Sequence, residues 1–182
     1  MNISISGRLL IQLLFPSIIL LPGSILAQDT VPSARTTVKQ PTYSTSRLIS
    51  KRPVIDGKLD DACWKDGTWA GNYTQWIPKE GAKPTWPTIF NIQYDDKNLY
   101  VAFRGYDGEP DKINRFAGVR DEQVGDMMGV TFDSYRDYRT GFEFTLTAWG
   151  QKSDLILFNP MDWDFNWNPV WKGKWGWKIV HG

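Results

Sequence analysis

The 182-residue chain contains one cysteine and one histidine. The lone Cys63 cannot close an internal disulfide, and zinc or redox motifs need more Cys and His partners than the chain holds. Histidine catalysis would have to rest on His181, one residue from the end. No Gly-x-Ser-x-Gly, His-Glu-x-x-His or P-loop pattern occurs. Apolar periodicity supports no helix longer than two turns, and no internal repeat is present. Charge of one sign is also lacking. Without residues 1–27 the chain keeps 20 basic and 20 acidic residues, so nothing draws it to nucleic acid or an anionic membrane.

The longest apolar run, Leu9–Leu21, follows Arg8 and is broken by Pro16. It is shorter than the roughly 20 residues of a membrane span, and it reads as a secretory signal ending at Ala27. No Cys follows it, so a bacterial lipid anchor at that place is not expected. Residues 28–47 are rich in Ser, Thr, Pro and Gln and are expected to form a flexible exported linker. Order is expected from Leu48, and residues 48–182 suffice for one core.

The segment Thr88–Asp107 carries the clearest pattern. Phe90, Ile92 and Tyr94 share one parity, and Leu99, Val101 and Phe103 share one parity of the next run. Period-two alternation predicts two half-buried strands, and Asp95-Asp96-Lys97-Asn98 supplies the turn. A second hairpin is expected from Met128-Val130-Phe132 and Phe142-Phe144-Leu146, joined by the polar loop Asp133–Gly141. Ser153–Phe158 is a further strand, and Gly71–Ile77 another before the loop Pro78–Pro87. Asp56-Gly57 makes a turn. Asp60 is read as the N-cap of one helical turn that buries Cys63 and Trp64. The connection Asp111–Asp126 is charged and surface-bound. In Val170–Val180 the alternation of Lys172, Lys174 and Lys178 with Trp171, Trp175 and Trp177 predicts a strand with one wet face. Short strands at about ten-residue spacing predict an all-β fold, an antiparallel β-sandwich of jelly-roll or immunoglobulin-like type.

Three segments together resemble the family 9 carbohydrate-binding module in its DOMON-like form. They are Ile55-Asp56-Gly57-Lys58-Leu59-Asp60 with Trp64, Tyr94 to Phe103 followed by Asp107, and Gly125 to Asp133. The chain also resembles exported proteins that carry this module ahead of an outer-membrane β-barrel, through Asp137-Tyr138-Arg139-Thr140, Gly150–Asp154 and Trp167–Trp171. The resemblance implies a truncated module of residues 48–182 that lacks its last strands. It further implies a role in polysaccharide breakdown, a place in the periplasm or at the outer membrane, and contact with its own downstream barrel. Thr147-Ala148-Trp149 departs from the pattern, where those relatives tend to have Asn-Pro before the Gly.

A sugar presents an apolar C–H face and a rim of hydroxyls, which suits an indole plane flanked by Asp or Asn. Trp149, Trp163 and Trp167 lie beside turn residues and are the candidate stacking residues, with Asp162, Asp164 and Asn166 for hydroxyls. Trp64 and Trp177 are assigned to the core. The expected ligand is a polysaccharide or oligosaccharide. Two other readings stand beside this one. A docking domain would need only an exposed surface. A glycoside hydrolase would need two carboxyl groups ~5–9.5 Å apart, and Glu80, Glu109, Glu122 and Glu143 cannot be paired from sequence. No cofactor is required. Calcium is a side expectation, from the alternating oxygen ligands Asp162, Asp164, Asn166 and Asn168, which lack the Gly and Glu of an EF-hand loop. Family 9 modules also include calcium-holding members.

Overall fold

The computed structural model describes residues 2–3, 41–159 and 162–176. Most of the expected signal, the first part of the expected linker, Trp177 and His181 lie outside the described residues. The fold is all-β and rich in antiparallel pairing; the described residues hold one four-residue α-helix, α1 (Cys63–Asp66), and a 3-10 turn at Pro110–Lys112. In chain order the strands are β1 (Asn2–Ile3), β2 (Tyr43–Ser44), β3 (Ser46–Arg47), β4 (Thr88–Tyr94) and β5 (Leu99–Gly105). They are followed by β6 (Met127–Phe132), β7 (Thr140–Thr147), β8 (Lys152–Phe158) and β9 (Trp163–Asp164). β1 pairs with β2, one sheet runs β3-β4-β5, and another runs β6-β7-β8-β9. No helix among the described residues is long and apolar enough to cross a membrane.

The first hairpin forms as its periodicity requires. Phe90 faces Phe103, Ile92 faces Val101 and Tyr94 faces Leu99, so the two apolar trios share one face. The turn is set by the Asp95 carboxylate, which accepts the N–H groups of Lys97 and Asn98 at 2.8 Å and the Tyr100 hydroxyl at 2.9 Å. Arg52 closes the ring with an ion pair to the same group. These donors favour the charged form, the Lys97 N–H foremost, and hold the carboxyl far below the usual Asp range.

The strand β4 is covered on both faces, which its polar parity did not announce. Asn91 and Gln93 are buried more completely than Phe90 on the apolar side. They face α1, where the Gln93 side chain donates to the Cys63 carbonyl and so satisfies a buried acceptor. Cys63, Trp64 and Ala102 form the core there, packed by Leu48, Leu59, Trp69 and Tyr100. Burial of one indole contributes on the order of 4 kcal/mol by area. The expected burial of Cys63 and Trp64 therefore holds, and burial pushes the Cys63 thiol pKa up. The cap is different. α1 starts after Ala62 without a side-chain cap, and Asp60 plays no such part.

Two further corrections concern the edge of β4. Order begins before Leu48, because Tyr43 and Thr45 act as side-chain substitutes for a neighbouring strand. The Ile92 N–H donates to the Tyr43 hydroxyl at 2.9 Å, and Thr45 Oγ1 donates to the Ile92 carbonyl at 2.7 Å. Next to them β3 pairs with Gln93 and Tyr94 in parallel, and the Tyr43 ring lies 4.8 Å from that of Phe90. The strand expected at Gly71–Ile77 reduces to one bridge, Ala70 with Phe90. Asn72 at φ +68 turns the chain away, and Gln75 then closes a loop with Ala82 and Gly81. The edge is satisfied by pieces rather than by one strand.

The second sheet matches its pattern. Met128, Val130 and Phe132 stand opposite Leu146, Phe144 and Phe142, and β8 adds to the other side of β7. The loop between β6 and β7 is tied by Asp133, which accepts from Asp137 and Tyr138, and by Asp137, which accepts from Arg139 and Thr140. The tail is a correction in part. Trp171 and Trp175 are half-buried while Lys172 and Lys174 are exposed, as alternation requires, yet residues 170–176 pair with no strand. That segment instead crosses the Asp56-Gly57 turn. Gly57 has φ +87, and a Cβ there would stand 2.6 Å from the Trp175 carbonyl oxygen.

Two outcomes follow from these contacts. Gly57→Ala meets both a left-handed backbone and the tail, and it should cost about 2 kcal/mol or more, read as a lowered melting temperature. Asp95 has a folded pKa below its unfolded one, so its stabilisation is complete above about pH 4 and is lost as pH falls further. Asp95→Asn should flatten the acid limb of a stability–pH curve measured by denaturant unfolding. An unchanged limb would count against the turn carboxylate as its source.

Candidate functional site

An open groove of about 310 Å³ is lined by Arg115, Ala148, Trp149, Gly150, Lys174 and Trp175. Three separate segments build it. Trp149 stands on the turn between β7 and β8. The Gly150 N–H donates to the Thr147 carbonyl at 2.8 Å, the Thr147 N–H donates to Gln151 at 2.9 Å, and Gly150 adopts φ +93. This is a tight turn closed by a glycine bulge, a conformation that glycine alone takes without strain. Nothing in that turn requires an aromatic ring, yet Trp149 is 60% exposed at its tip.

Asp126 ties the second segment to the turn. Its carbonyl accepts the Ala148 N–H at 2.7 Å. Its N–H donates to the Asn114 carbonyl and its carboxylate accepts the Asn114 N–H, both at 2.9 Å. Arg115 is thereby held beside the tip. Asn114 and Gly125 come so close that a Cβ at Gly125 would collide with the Asn114 carbonyl.

The third segment is the tail, anchored by Trp171. Its indole N–H donates to Asp154 at 2.8 Å, and its ring meets that of Phe144 at 5.5 Å. Its carbonyl accepts from Lys152 at 3.1 Å, whose ammonium also lies 5.2 Å from the ring centroid. Three residues on, Lys174 and Trp175 form the far wall. Asp154 is buried in the sheet and also binds Arg120, which in turn contacts Asp121 at 3.4 Å. Its second oxygen, Oδ2, has no partner among the described residues. Arg120 is therefore the charge that makes this burial tolerable.

The six candidate sugar contacts do not converge. Trp149 belongs to the groove. Trp163 is 51% exposed but pairs with Leu157, at the opposite end of β8, roughly 17 Å along the strand from Lys152 by strand rise. Trp167 is half-buried, its ring 5.0 Å from Phe142 and 5.5 Å from Phe144, so it packs on the apolar face of the sheet. The Asp162 carbonyl accepts from Phe158, and one Asp164 oxygen accepts two bonds from Asn166, a local turn. Asp164 is thus spent on chain geometry. Arg115 was not singled out by the sequence, and Lys174 and Trp175 were read there as strand positions rather than as binding residues. The departure at Trp149 was the signal available for this place.

The carboxylates weighed for catalysis sit elsewhere. Glu109 pairs with Lys112, Glu122 accepts from Val119, and Glu143 faces Thr131, Thr145 and Gln123. Neither these nor Glu80 lines the groove. Among the described residues no three His, Cys, Asp or Glu side chains meet as a metal group, and the acids of the Asp162–Asn168 run do not form one. No family model matches the chain, and no curated protein or solved structure matches it.

The Arg120–Asp154 pair offers a direct check on how the groove is held. Arg120→Ala would leave a buried carboxylate with the Trp171 indole but without its counter-charge. The expected result is a loss of about 2–3 kcal/mol in urea unfolding, with the slope unchanged. A loss of only a few tenths would assign the pair to the exposed, near-neutral class.

Proposed function

We propose that this chain is a non-catalytic carbohydrate-binding β domain of an exported protein, of the family 9 module type and sandwich architecture, serving polysaccharide breakdown. The single observation that carries the reading is Trp149, an exposed indole on a rigid glycine-closed turn, sharing a groove with a second indole, Trp175. A fixed aromatic plane accepts the C–H face of a sugar at little entropic cost, because the turn is ordered before binding. Cationic groups at the wall can donate to hydroxyls. The described lining offers two indoles, two cations and two small residues, a make-up that suits holding a glycan.

A docking role draws on a different surface. Phe158, Trp163 and Phe165 are each exposed at or beside the two-residue edge strand β9. An edge strand with apolar side chains is a natural place for further chain to add, such as a downstream β-barrel region or a partner.

Glycan-array binding of the full chain, with Trp149→Ala and Trp163→Ala in parallel, separates the two. Binding to xylan- or glucan-type oligosaccharides that falls at least tenfold in Trp149→Ala and stays in Trp163→Ala supports the groove. Equal loss in both variants, or binding untouched by Trp149→Ala, would remove the groove from the reading. A folded chain that binds no glycan would shift the assignment to docking at β9.

A further inference from the structure

The open end of the first hairpin carries an indole that the groove does not use. Beyond β4 and β5 the two chains stay side by side, the Tyr106 N–H donating to the Pro87 carbonyl at 3.0 Å, so Trp86 comes level with Asp107 and Gly108. The Trp86 ring is seated there. A Cβ on Gly108 would collide with Cη2 of the indole and stand 2.6 Å from Cζ2. Gly108 is not among the left-handed glycines, so room for the ring, rather than backbone conformation, calls for glycine at this turn. Trp86 still keeps 43% of its surface exposed, and Tyr106 is 47% exposed. Asp107 closes the turn with Oδ1, which accepts the Glu109 N–H at 2.6 Å. A seated indole with a carboxylate and a phenol at hand is the combination that a pyranose face and its hydroxyls require.

This place lies at the same end of the molecule as Trp149. Gly105 ends β5, and a Cβ on it would collide with the methyl group of Met128 near the start of β6. Met128 stands opposite Leu146 on β7, three residues before Trp149. Strand spacing and rise put the path from Trp86 to Trp149 at roughly 25 Å at most, too long for a disaccharide to bridge. Resting on the carbohydrate reading above, we infer that Trp86 is a second sugar-stacking site and that the ligand is an extended polysaccharide held at both indoles. Each indole takes one ring of the glycan. Once the chain is held at one, the second contact is intramolecular, so the two sites act together on a long glycan and singly on a short one.

The test is calorimetric titration of the full chain with xylo- and gluco-oligosaccharides of two lengths, disaccharide and hexasaccharide. The hexasaccharide should bind more tightly than the disaccharide by roughly tenfold or more, the low end of a two-point gain. Trp86→Leu keeps an apolar side chain on the Gly108 seat but removes the plane, and it should erase that advantage while leaving the disaccharide on the Trp149 groove unchanged. Trp86→Phe restores a plane and should recover most of the advantage, whereas a purely structural Trp86 would be served by Leu and Phe alike. Trp149→Ala should weaken both lengths. Equal affinity for the two lengths, or a hexasaccharide that binds Trp86→Leu as it binds the unaltered chain, would overturn the inference and leave the carbohydrate reading standing. Binding of neither length would overturn both.

Discussion

The buried carboxylate of Asp154 is the constraint on which the groove depends. It lies on the apolar face of its sheet, opposite Phe144, where an isolated charge would be costly. It is kept there by Arg120 from the long connection and by the indole N–H of Trp171 from the tail. Those are the two segments that reach the groove beside the β7–β8 turn. One charge in the sheet therefore gathers three stretches of chain, and a hydrophobic residue at the same position would pack without gathering them. Buried ion pairs add little net stability, so specificity of arrangement is the better account of this one.

Asp126 repeats the logic with the backbone. It uses its N–H, carbonyl and carboxylate to bind Asn114 and Ala148, fixing Arg115 next to Trp149. The groove is thus made of loops, but of loops whose polar groups are satisfied by one another. Such loops can hold an exposed indole in one place, which is the property that a stacking site needs. The hairpin β4–β5 serves the other half of the molecule in the same way. Its amide face covers α1, and its free edge is closed by Tyr43, Thr45 and Ala70. A strand with so many substitutes at its edge is poorly available for pairing with another chain.

Within the proposed function, the division between the two candidate surfaces has a physical basis. The tip around Trp149 combines aromatic planes with charge, which suits a small, hydroxylated ligand. The rim at β9 is apolar and belongs to an edge, which suits backbone pairing with more polypeptide. Trp167, which the sequence grouped with Trp149 and Trp163 as a stacking residue, is drawn inward by Phe142 and Phe144 and belongs to neither surface. The chain can hold both roles without conflict, since the surfaces lie at opposite ends of β8.

Both hairpins, their register and their turns were legible in the residues, because they depend on neighbours only a few positions apart. Alternation of Phe90-Ile92-Tyr94 and Phe142-Phe144-Leu146 determined the strands, and Asp95-Asp96-Lys97-Asn98 and the polar loop Asp133–Gly141 marked where the chain reverses. Burial of Cys63 and Trp64 was legible for the same reason. What covers the second face of a strand is not written in its period, so the burial of Asn91 and Gln93 under α1 went unseen. Residues 43–47 looked like linker because their contribution is two side-chain oxygens at a strand edge, a contact with residues almost fifty positions away. The groove is the extreme case. Arg115, Trp149 and Trp175 are separated by some thirty residues each, and long-range polar contacts, those of the buried Asp154 and of Asp126 among them, bring them together. Local order came from sequence; the site came from long-range polar contacts that no local pattern encodes.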